Sequence, residues 1–275
     1  MTAAPLQIDQ DDFHGAGVTG LRADLALALR AAAHHGLAEG VCNHFSVELP
    51  DGSGRFLLNP RGLLWHEVQA DDIVMVDGHG TVLAGRHAVE STAMFIHGAI
   101  HRIARQPCVL HSHMPHATAM TVIADRSLDT RLSQTAMRFH GRVAVDAHYN
   151  GLALDAAEGE RIAGAMQGAD VVFLGNHGVV VCAGRLAHAY DDLYYLERAC
   201  QLQLLALSTG RPAAAAGGRR AGGAGGRADV GRALAGGAVF RGAAAHFVAA
   251  RAVLDDRNRL TRLAPCGLGG ADDPL

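Results

Sequence analysis

Lysine is absent: all 24 basic positions of this 275-residue chain are arginine. Without a lysine amine the chain cannot form a Schiff base with a carbonyl substrate, hold pyridoxal phosphate as an internal aldimine, or complete a P-loop. Cysteine is sparse and odd in number. Cys42, Cys108, Cys182, Cys200 and Cys266 are scattered and never form a Cys-x-x-Cys pair, which argues against a disulfide framework and a zinc ribbon. Neither sign of charge dominates: 27 acidic residues leave a formal net charge of -3, and no arginine cluster is interleaved with stacking aromatics, so nucleic acid is not an expected partner. No uncharged apolar run approaches the roughly 18 residues of a membrane helix. Residues 1–13 are polar and acidic, unlike a secretory leader. These absences predict a soluble, cytoplasmic protein with neither nucleic acid nor membrane as a partner.

Histidine is in excess. Its 17 copies outnumber Trp (1), Tyr (4) and Phe (8) taken together, and imidazole is the commonest metal ligand and the side chain that titrates nearest neutrality.

The periodicity predicts mixed α/β structure. Leu21, Leu25 and Leu29 repeat at helical spacing and stop at Gly36. Two hairpins follow, one turning at Pro50–Gly54 and one at Asp77–Gly80. Helices are then expected over about 91–105, from Pro115, over about 156–166 and through Leu193–Leu204, alternating with apolar strands at 108–113, 171–174 and 179–182. The expected architecture is an α/β/α sandwich. Residues 1–208 form its domain, 209–228 are a Gly/Ala/Arg-rich linker or loop, and 229–275 a helical extension and tail.

The sharpest local feature is His111-Ser112-His113. On a strand, residues i and i+2 share a face, so both rings can reach one ion; on a helix they diverge by about 200°. Two packed or exposed histidines are the alternative. His116 follows in the first turn of the next helix. His177 lies between Gly175 and Gly178, which permit close backbone approach, or it is a turn residue facing solvent. Glu90 precedes Ser91-Thr92 at a helix start, where the dipole favours a carboxylate. On that helix His97 and His101 form a His-x-x-x-His pair, but Gly98 stands where a zinc protease needs glutamate, so both are read as structural or interfacial.

Glu90, His111-Ser112-His113 and Asn176-His177-Gly178, with Gly40–Ser46, Asn59–Leu63 and Asp72–Asp77, resemble the class II aldolase/adducin family over roughly residues 19 to 206. The resemblance implies a three-layer α/β/α sandwich with a mixed, largely antiparallel sheet. It also implies a homotetramer with sites at subunit interfaces. His111, His113 and His177 would hold one divalent metal per subunit, zinc foremost, with iron(II) or manganese as alternatives, and Glu90 would be the catalytic acid/base. Cys42-Asn43, Arg61-Gly62 and Ala88-Val89 replace the elements that hold phosphate in the family's sugar-phosphate aldolases. Arg61 offers a bidentate carboxylate partner instead, and Asn43, Gly62 and His116 complete the expected substrate contacts. The family tyrosine donor has no counterpart, and His140 is its expected substitute.

The function implied is a metal-dependent lyase that cleaves a carbon–carbon bond of a small, unphosphorylated hydroxy- or keto-acid, by retro-aldol reaction or decarboxylation, through a metal-stabilised enolate. A second reading is a non-haem iron oxygenase that oxidatively decarboxylates an aromatic acid in secondary metabolism, as some relatives do. A third is a non-catalytic, adducin-like interaction domain.

Overall fold

The computed structural model describes residues 10–125, 127–213, 239–243 and 245. A short helix α1 (Gln10–His14) leads into α2 (Ala16–His34), whose Leu25, Ala28, Leu29 and Ala32 repeat on one side and are buried. Beyond its end Gly36, at φ 69°, takes the left-handed conformation that glycine adopts without penalty. Four strands follow: β1 (His44–Glu48), β2 (Phe56–Leu58), β3 (Val74–Val76) and β4 (Val82–Ala84). Helix α3 (Ser91–Ala99) passes into a π-helical turn over Ile100–Ala104. The helix expected to Arg105 is thus widened in its last turn, and Arg105 itself ends it at φ 53°.

Strand β5 (Cys108–Ser112) runs through the middle of the molecule, followed by α4 (Pro115–Thr121), α5 (Gln134–Met137), β6 (Val143–Asp146), α6 (Ala156–Ala165), β7 (Val171–Leu174), β8 (Gly178–Ala183) and α7 (Leu186–Ser208). The eight strands form one sheet in the order β4-β3-β2-β1-β5-β8-β7-β6. Among the described residues only β6 and β7 run parallel; every other pairing is antiparallel.

Alternation along the strands separates the two faces. Phe45, Leu110 and Val181 join Leu25, Met120 and Leu193 in a core beneath α2, α4 and α7. Val109, Val180 and Val172 point the other way, to Ile96 of α3 and Ile162 of α6. The architecture is the expected three-layer α/β/α sandwich. Register then fixes the site: His44 pairs with His111, Ser46 with Val109, and His111 with Val180, so these residues share the face covered by α3 and α6.

Of the linker expected over 209–228, residues 214–228 lie outside the described residues, as does most of the extension expected over 229–275. Residues 239–243 are helical; Phe240 is buried edge-on to Tyr190, with ring centroids 5.8 Å apart. Among the described residues, no helix is long and apolar enough to cross a membrane.

Candidate metal centre

β5 carries His111 at its penultimate position, and His113 follows one residue beyond the strand end. His177 arrives from the turn between β7 and β8. There Asn176 adopts φ 55°, its N–H donates to the Thr121 carbonyl at 3.1 Å, and Gly178 lies so close that a methyl group would sit 2.7 Å from His113 Cδ2 and 2.8 Å from the Ser112 carbonyl oxygen. These local constraints bring the three rings together. Their nitrogen ligand atoms all lie within 4.8 Å of one another.

The outer nitrogens set the tautomers. His111 Nδ1 lies 3.0 Å from the Val179 carbonyl oxygen, which can only accept, so Nδ1 carries the proton. His113 Nδ1 lies 2.6 Å from a carboxylate oxygen of Glu39, which likewise places the proton on Nδ1. The two Nε2 atoms are then bare and face each other at 3.2 Å. Opposed lone pairs at that distance repel unless a cation sits between them, and a divalent ion shared with the third imidazole satisfies all three. Burial, reinforced by the neighbouring histidines, pushes His111 well below the usual imidazole range, and burial with His113 nearby takes His177 down to about 4. His111 and His177 therefore stay neutral at neutral pH, the state a metal requires of its imidazole ligands.

A cavity of about 440 Å³ opens over the cluster. Its polar lining includes Glu39, Cys42, His44, Arg61 and Glu90, and its apolar lining Val41, Ile96 and Leu152. Glu90 is the N-cap residue of α3, yet its carboxylate makes no capping bond; it pairs with Arg61 Nε at 2.9 Å.

Of the expected site residues, His111, His113, His177, Glu90, Arg61 and Gly62 therefore meet around one cavity. Three others do not line it. Asn43 is buried and braces the loop, its Oδ1 accepting from Glu39 N–H at 2.9 Å. His116 is held at α7 by Glu197, at 2.6 Å from Nδ1. His140 lies 3.0 Å from Thr130 Oγ1. The rival pair His97 and His101 is buried against the same sheet face but away from the cluster, both rings bonding Ser46 Oγ, at 2.6 and 2.7 Å.

Sequence reasoning missed Glu39, His44 and Tyr149. Glu39 orients His113 from 74 positions away, and nothing in its local sequence signals that. His44 stacks on His111, with centroids 5.7 Å apart, and burial takes it down to about 3. Strand alternation next to β5 could have flagged it. Tyr149 approaches His177 with ring centroids 6.4 Å apart.

A family model described as the Class II Aldolase and Adducin N-terminal domain matches residues 23–204. A Pseudomonas aeruginosa protein whose name places it in aldolase class 2 is 32% identical over 69% of this chain and 72% of its own. A Streptomyces roseochromogenus protein named 4-hydroxy-3-prenylphenylpyruvate oxygenase/4-hydroxy-3-prenylbenzoate synthase is 31% identical over 67% of each chain. Among solved structures, an aldolase II superfamily protein from Pseudomonas syringae superposes with a TM-score of 0.73 at 30% identity, covering 88% of this chain and 95% of that one.

Proposed function

The chain belongs to the class II aldolase and adducin family, and from that premise we propose that it is a divalent-metal-dependent lyase cleaving a carbon–carbon bond of a small hydroxy- or keto-acid. The observation that carries this reading is the pair of bare Nε2 atoms 3.2 Å apart beside a third imidazole, open to a cavity. His111, His113 and His177 are the ligands, with zinc the first choice for three neutral imidazoles. When bound, the metal supplies Lewis acidity to the negative charge that develops on a substrate oxygen. Glu90 takes or returns the proton at carbon. Arg61 recognises a carboxylate with its planar fork, and Val41, Ile96 and Leu152 give the cavity an apolar wall that accepts an alkyl or aromatic group and excludes water. The active form proposed is a homotetramer with one metal per subunit.

The name of the Streptomyces relative favours a second reading, in which the same three histidines hold iron(II) and the protein oxidises an aromatic keto-acid. Turnover under argon separates the two. The lyase reading expects cleavage of hydroxy- and keto-acids at the same rate with and without oxygen. A strict oxygen requirement with stoichiometric uptake contradicts it and establishes the oxygenase.

A further inference from the structure

Arg61 and Glu90 are tied to one corner of the chain. The Arg61 N–H donates to the Ala88 carbonyl at 2.9 Å, two residues before Glu90, and Gly62 at φ 82° closes the turn that presents the arginine. From that anchored corner the side chains meet as an ion pair, with the Glu90 carboxylate directed away from the helix end it could cap. The contact given for the pair runs from Nε, one of five guanidinium donors, to a Glu90 carboxylate oxygen. Side-chain exposures of 65% for Arg61 and 33% for Glu90 leave the pair reachable from the cavity mouth. An ion pair this exposed is weak, whereas a carboxylate that takes the fork bidentately makes two charge-assisted hydrogen bonds.

We propose that Arg61 couples recognition of an acidic substrate to release of the base: the substrate carboxylate takes the guanidinium from Glu90, and the freed Glu90 turns to the substrate carbon. This rests on the roles given to Glu90 and Arg61 above and deepens them. The substrate class is a carboxylic acid with its carbonyl or hydroxyl adjacent to the metal cluster; a neutral analogue leaves Glu90 paired and idle.

A double-mutant cycle read by calorimetry tests this in zinc-loaded protein, with pyruvate as the acidic probe and pyruvamide as its neutral counterpart. Glu90→Gln frees Arg61 and tightens pyruvate binding about two- to five-fold, the range of an exposed ion pair. Arg61→Gln weakens pyruvate binding about tenfold, and in that background Glu90→Gln changes nothing. Pyruvamide binding is indifferent to all three variants. Equal tightening by Glu90→Gln with and without Arg61 reveals a general charge effect and overturns the coupling. So does unchanged pyruvate affinity in Glu90→Gln, or no pyruvate binding to the wild type. Because this readout is binding, it is separable from the lyase reading: turnover without coupling overturns only the coupling, and coupling without turnover overturns only the lyase.

Discussion

At the scale of single residues, the three-histidine cluster was legible because its information is local. His111 and His113 sit two apart at the end of β5, and His177 sits in a glycine-flanked turn, so alternation could place the first two rings on one face and the family resemblance singled out all three. Glu39 was illegible: it is a loop acid that acts only on a ring brought near by the β1–β5 pairing. Asn43 was misread because a buried loop brace and a substrate contact leave the same mark in a sequence. The Glu39 carboxylate holds the proton on His113 Nδ1 and so keeps Nε2 bare and turned to the cluster. Glu39→Ala therefore weakens zinc affinity by about 10- to 100-fold, measured by competition with a chromophoric chelator, while the circular dichroism spectrum is unchanged. Unaltered affinity would remove Glu39 from the site.

At the scale of elements, hydrophobic alternation predicted the two hairpins and the strands that flank the cluster. It missed β6, whose Val-Ala-Val-Asp is four residues long and largely unburied at the sheet edge, too short and too exposed to stand out. It also missed the π turn after α3, where Ile100 and His101 are buried with the His101 ring against Ser46 and the Gln106 carbonyl. Close packing between elements has consequences at the site. A methyl group at Gly178 would meet both the Ser112 carbonyl and the His113 ring, so Gly178→Ala displaces His113 and lowers metal affinity along with stability. At Gly159 a methyl group would collide with the Phe95 carbonyl where α6 packs on α3. Gly159→Ala destabilises by about 1–3 kcal/mol, the usual penalty for overpacking, measured as a reduced urea midpoint. A wild-type midpoint would mean that the helices separate freely.

At the scale of the whole molecule, the buried histidines make stability depend on pH. Burial lowers His101 to about 4 and His97 well below its ordinary value. The unfolded chain, with imidazoles near 6.5, therefore binds protons that the folded chain refuses. Stability contributed by these groups is complete above about pH 6.5 and falls as the pH drops towards about 4, by up to about 1.4 kcal/mol per pH unit for each imidazole. Urea titration of metal-free protein between neutral pH and about pH 5 checks this; a flat midpoint would mean that the two rings are protonated in the fold. The absence of lysine, which removes imine chemistry, also has its counterpart at this scale: a three-histidine cluster is what the proposed lyase chemistry would use in place of an amine. Elemental analysis of metal content per chain tests that claim most directly. One divalent ion per wild-type chain and near-complete loss in both His111→Ala and His177→Ala is the predicted result, and full occupancy in both variants would contradict it.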